Sequence, residues 1–157
     1  MPAASEPVPV PLPHTFRPLG VRIAAYVFGF LLLLVVVVIW FAFSQDVRDQ
    51  FTLFQRGTVI FFGLAAAVAG HALARCRVVA RQESVTVVNG YKSRSYEWNE
   101  LVAVSLRPGS PWATVDLSDG TTVPAMAIQG SDGSRAVTQV RQLRALLARQ
   151  SHTDRDD

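Results

Sequence analysis

The stretch SVTVVNGYKSRSYEW, Ser84–Trp98, holds β-branched residues on one side of an Asn-Gly pair and a polar-aromatic alternation on the other. Val, Thr and aromatic residues at period two favour a pleated, half-buried strand. Asn89-Gly90 is a strong hairpin signal, because a two-residue type I′ turn needs positive φ at both central positions. The sequence therefore predicts a β-hairpin, with strands over 84–89 and 91–98.

Working outward, RVVAR (77–81) and LVAVSLR (101–107) read as further strands, the latter ended by the breaker PGSP. WATVDLS (112–118) and TTVPAMAI (121–128) flank Asp119-Gly120, a second tight hairpin, and Pro124 assigns the later strand to an edge or a bulge. SDGSRAVTQVRQLRALLARQ (131–150) then switches to helical period. Ser131 and Asp132 are N-cap candidates. Ala136, Val140, Leu143 and Leu147 form an apolar stripe that Val137 and Leu146 widen. About six strands in meander order and one amphipathic helix predict a small bent antiparallel sheet or partial barrel over residues 76–150, closed by the helix. No helix-length segment separates the strands, which excludes a parallel βαβ fold.

Upstream, Ile23 to Phe43 contains only apolar, aromatic or glycine residues. As an α-helix it would span about 30 Å, the thickness of a bilayer's hydrocarbon core. A signal peptide has a shorter apolar region behind a short basic start, although Ala42-Phe43-Ser44 has some character of a cleavage site. A core helix would need apolar cover on every face. A membrane span over 21–44 accounts best for the run, with Tyr26 and Trp40 suited to the two interfaces. GTVIFFGLAAAVAGHALA (57–74) follows after a polar link (45–56) and completes a helical hairpin. Gly63, Ala66, Ala67 and Gly70 either let the helices approach closely or simply make the helix tolerable in lipid. His71, the one ionisable residue of the second span, lies a turn from Arg75 and is placed at the interface. The outer flanks carry five arginines (17, 22, 75, 77 and 81) against two in the link (48 and 56). That bias places both termini on the cytoplasmic side of a bacterial inner membrane, with a multi-pass anchor. Residues 1–20 carry prolines at 2, 7, 9, 11, 13 and 18, which rule out a helix or a paired strand and predict a disordered tail, a spacer or a docking peptide. Residues 151–157 read as a disordered acidic tail.

Charge and chemistry narrow the function. Over residues 75–150 ten Lys and Arg face six Asp and Glu, a net of +4. Arg75, Arg77 and Arg81 follow the second span, and Lys92 and Arg94 alternate onto one face of their strand. These five residues are the candidate contacts for anionic lipid headgroups; the alternative is that the arginines only set topology. No Gly-rich phosphate loop, G-x-S-x-G elbow or H-E-x-x-H helix occurs. Glu97 and Glu100 flank Trp98 and are expected to face water. Cys76 is the single cysteine and the three histidines lie far apart, so neither a disulfide nor a Cys/His metal site is expected. No catalytic residue, metal ligand or cofactor is assigned, and nucleic-acid binding is not expected.

The pieces Asn89-Gly90, Trp98-x-Glu100-Leu101, Pro111-Trp112-Ala113, Asp119-Gly120 and Ala127-Ile128-Gln129, behind two membrane helices, resemble the actinobacterial PH-like (pleckstrin-homology-like) membrane proteins of the low-molecular-weight antigen 6 type. The resemblance covers roughly residues 20–150. It implies a membrane α-helical hairpin plus a small β-rich PH-like domain with a C-terminal helix, and no catalytic residues to carry over. Eukaryotic PH domains that grip phosphoinositides use basic residues in a longer first hairpin, which the short Asn89-Gly90 turn does not resemble, so inositide recognition is not expected. The expected function is a membrane-anchored, non-enzymatic interaction or scaffolding protein that contacts membrane lipids and either self-associates or binds a membrane protein. The alternative is an accessory subunit of a transporter or lipid-handling enzyme.

Overall fold

Three residues without proline, His14-Thr15-Phe16, begin the domain's first sheet. The computed structural model describes residues 10–153, with side chains to residue 150. It divides into two compact units, one of Val21–Ala74 and the other built from the chain on either side of it.

In the flanking unit, strand β1 (His14–Phe16) pairs antiparallel with β2 (Arg77–Ala80) in the register His14–Ala80, Thr15–Val79, Phe16–Val78. β2 pairs with β3 (Ser84–Asn89), and β3 with β4 (Lys92–Glu97), completing a four-stranded sheet. β5 (Leu101–Ser105), β6 (Trp112–Leu117) and β7 (Thr122–Gln129) form a three-stranded antiparallel sheet. The six strands after residue 75 follow meander order, as the alternation predicted. β7 is an edge strand with a register shift opposite Trp112 and Ala113, where Pro124 costs no ladder bond.

The core lies between the sheets. Phe16, Val78, Val85, Val115 and Ile128 are fully buried, joined by Trp98, whose indole N–H donates to the Arg81 carbonyl at 3.0 Å. The C-terminal helix, Ser134–Thr153, packs against β5 and β7 and adds Ala136, Val140, Leu143, Leu146 and Leu147 to the same cluster.

Four expectations are corrected here. The N-terminal prolines do not prevent a paired strand: they flank His14–Phe16 without occupying it, so every residue of β1 keeps its N–H, and Val10, Phe16 and Pro18 are buried. The expected disordered tail therefore does not extend over residues 10–20, and residues 1–9 lie outside the described ones. Asp132 does not cap the C-terminal helix, which starts at Ser134. Its carboxylate accepts the amides of Leu19 and Gly20 at 3.1 and 3.0 Å. Val137 is 43% exposed, and the helix turns Gln139 inward in its place, where the amide N–H₂ donates to the Arg17 carbonyl at 3.4 Å. The same helix continues to Thr153, into the segment expected to be tail; residues 154–157 lie outside the described ones.

The other unit holds two helices of 23 residues, Gly20–Ala42 and Leu53–Arg75, joined by a short helix, Gln45–Gln50. Both long helices are long and apolar enough to cross a membrane. The second starts a turn earlier than its apolar run, because Thr52 and Gln55 form a reciprocal capping box: Thr52 N–H donates to Gln55 Oε1 (3.0 Å) and Gln55 N–H to Thr52 Oγ1 (3.3 Å). Near the open end of the hairpin a Cβ added at Gly70 would sit 3.7 Å from that of Ala25, whereas Gly63 has open space around it. Close approach through small residues thus holds at Gly70 and not at Gly63. At the closed end Phe51 meets Trp40 and Phe43, and the Arg56 guanidinium lies 5.3 Å from the Trp40 ring centroid.

Truncating Phe16, which is 1% exposed, removes a large core side chain from β1. Phe16→Ala is expected to destabilise the domain by about 3–5 kcal/mol, measured by denaturant unfolding of the full chain in micelles, with Thr15→Ala close to neutral. His14, edge-on to Phe16 at 4.6 Å, has its pKa lowered from 6.5 by burial. The unfolded chain then binds its proton more readily, so stability is complete above 6.5 and falls as the pH drops below it. His14→Gln should flatten that slope.

Candidate functional site

The five basic residues singled out by the sequence do not form one patch. Val85 and Val87 face the core, and their register partners Tyr96 and Arg94 share that side of the sheet, followed by Lys92. Arg77 and Arg81 lie on the opposite, outer side, where Arg81 donates to Thr86 Oγ1 at 3.3 Å. Arg75, the last residue of the second long helix, belongs to neither face. Its guanidinium lies over the Tyr91 ring, 5.2 Å from the centroid.

What brings Tyr91 there is the β3–β4 turn. Asn89 pairs with Lys92, so the two central residues are Gly90 and Tyr91, and only Gly90 takes positive φ (61°). That is the pattern of a type II′ turn, in place of the expected type I′ turn. Asn89 stays in the strand because its side chain has other work. Its Nδ2 donates to the Pro124 carbonyl at 2.6 Å and its Oδ1 accepts the Met126 N–H at 3.1 Å. One side-chain amide thus pairs with the β7 backbone as a strand residue would, and joins the two sheets. Gly90 N–H donates to the buried Cys76 sulfur at 3.2 Å. The turn is thereby fastened to the residues that follow the second helix.

Three further polar contacts lie within the fold. Glu100 accepts the Glu97 N–H at 2.7 Å in a capping box around the turn at Trp98–Glu100. Asp119 Oδ1 accepts both Thr121 Oγ1 (2.7 Å) and Thr121 N–H (2.8 Å) in the β6–β7 turn, and these bonds hold its carboxyl below 3.8. Arg144 Nε reaches the Val104 carbonyl at 2.6 Å, tying the C-terminal helix to β5. An open cleft of about 550 Å³ lies between the Leu106–Pro111 loop and residues 130–133, with Arg107 and Val137 on its walls. Among the described residues no group of three His, Cys, Asp or Glu side chains could hold a metal ion.

Residues 75–146 match the family model of a bacterial PH domain. This is the PH-like architecture of antiparallel sheets and C-terminal helix seen above, and the matched stretch begins after β1. Proteins of Mycobacterium tuberculosis and Mycobacterium bovis, each described as an uncharacterized protein, are 40% identical to this chain over 87 residues. The aligned stretch covers 55% of this chain and 56% of each relative, so the chain spans about half the length of the curated relatives it matches. No solved structure matches the chain.

Asn89→Ala removes both bonds to β7 and leaves the Met126 N–H and Pro124 carbonyl without that partner. A loss of about 1–3 kcal/mol is expected, with faster amide exchange at Met126 as the local signature.

Proposed function

We propose that the chain is a membrane-anchored, non-enzymatic interaction module whose PH-like domain stands on the cytoplasmic face of the membrane. The observation that carries this reading is the pairing of β1 with β2. The two strands lie on either side of both apolar helices in the chain, and strands that share a ladder must share a compartment. One crossing would leave His14–Phe16 and Val78–Ala80 separated by a bilayer; two crossings bring them together. The pairing also speaks against removal of the first helix as a signal peptide, since cleavage near Phe43 would take β1 and the buried Phe16 with it. The large exposed apolar side chains, among them Phe28 at 72%, Phe41 at 72% and Phe62 at 65%, call for lipid or a partner helix around them. The arginine bias of the flanks supports the cytoplasmic side.

Single cysteines test the topology, with the buried Cys76 as a silent background. In intact cells Ser44→Cys, in the link, should react with a membrane-impermeant maleimide, while Thr15→Cys and Ser93→Cys react only after the membrane is opened. Labelling of Thr15→Cys and Ser93→Cys from opposite faces would end this reading. Cross-linking in native membranes separates self-association, which gives links only between copies, from service as an accessory subunit, which gives a reproducible polytopic partner.

A further inference from the structure

We propose that Arg75, Tyr91 and Lys92 together form a docking surface for acidic lipid headgroups, formed by the tip of the β3–β4 hairpin. The inference rests on reading the second long helix as a membrane span and names the lipid contact of the domain it carries.

Three observations converge. The helix ends at Arg75 and β2 begins at Arg77, so no linker separates the span from the domain. The hairpin tip is fixed against this exit point twice, by the Gly90 N–H on Cys76 sulfur at 3.2 Å and by Tyr91 under the Arg75 guanidinium at 5.2 Å. Where Ala74 leaves the hydrocarbon, the tip must therefore stand within a side chain's reach of the headgroups. The tip also has the chemistry of that layer. Tyr91 is 55% exposed although it is a large aromatic, and Lys92 beside it is exposed. A tyrosine ring with an apolar body and a polar edge suits the interface, and the two cations meet the negative surface of the inner leaflet. The hairpin's acidic residues lie at its other end: Glu97 pairs with Ser84, five ladder steps from Asn89–Lys92, and Glu83 immediately precedes Ser84. Positive charge is thus concentrated at the end nearest the span.

The partition of the five basic residues follows from this geometry. Arg75 and Lys92 belong to the surface. Arg77 and Arg81 face outward from the sheet, and Arg94 sits two residues further up the strand. Tyr91 enters the site only because the turn is centred on Gly90-Tyr91.

The test uses the full chain reconstituted in vesicles of phosphatidylcholine alone or with added phosphatidylglycerol. Hydrogen exchange is followed at residues 89–92. Slowing of several-fold with phosphatidylglycerol is expected, reversed by high salt and lost in Lys92→Glu and in Tyr91→Ser, while Arg77→Glu retains it. Equal exchange in the two lipids overturns the proposal. So does protection that rises with protein density regardless of lipid, which would assign the surface to a second copy. Flotation of the chain with the vesicles reads the anchor separately: loss of flotation would count against the membrane-span reading, whereas flotation with unchanged exchange counts against the headgroup surface alone.

Discussion

Three residue pairs, His14–Ala80, Thr15–Val79 and Phe16–Val78, join segments that lie on either side of the two long apolar helices. Closing so long a loop costs conformational entropy, and three ladder steps alone offset little of it. Burial supplies the rest. Phe16 and Pro18 enter the core, Asp132 holds the amides of Leu19 and Gly20, and Gln139 holds the carbonyl of Arg17. The hairpin lowers the cost from its own side. Its two long helices have 23 residues each, so the second returns the chain to the level at which the first began, and Gly70 meets Ala25 near that end. A helix and its equal return turn a long connection into an effectively short one.

The helical hairpin is therefore the connection between two neighbouring strands of a β domain. Here the chain enters the hairpin from one strand of a sheet and leaves it into the neighbouring strand. Cys76 and Asn89 extend the same logic. The first takes the N–H of the β3–β4 turn and the second bonds to β7, so the residue after the second long helix, the turn and the seam between the sheets are consecutive links in one network.

Much of this was legible in the residues. The meander strands over 77–128, the edge position of the Pro124 strand and the stripe on the C-terminal helix follow from period and turn chemistry, which are local. The features that escaped are those whose partner lies far along the chain. His14–Phe16 is too short to show a period and sits among prolines, so only the waiting edge of β2 makes it a strand. Asn89-Gly90 by itself points to the centre of a turn, because that is the commonest use of the pair. Its real position one residue earlier depends on Pro124 and Met126, more than thirty positions away. Asp132 looked like a cap for the helix that follows it, since nothing local reveals the amides of Leu19 and Gly20. For the site, the strand face of Lys92 and Arg94 was readable from alternation. Their separation from Arg77 and Arg81 required the register of two ladders.

The place where the family match begins carries a further consequence. Residues 75–146 hold six strands and most of the terminal helix, so by sequence they look like a self-sufficient domain. In the folded chain they do not complete their own sheet. Without residues 14–16 the edge of β2 would present unpaired N–H and C=O groups, and a cavity would open over Val78 and Ala80 where Phe16 packs. The domain's integrity thus depends on a segment that precedes both long apolar helices in the chain. Formation of the helical hairpin and completion of the β-sheet are then coupled, because the ladder can close only when the two flanks of the hairpin come together.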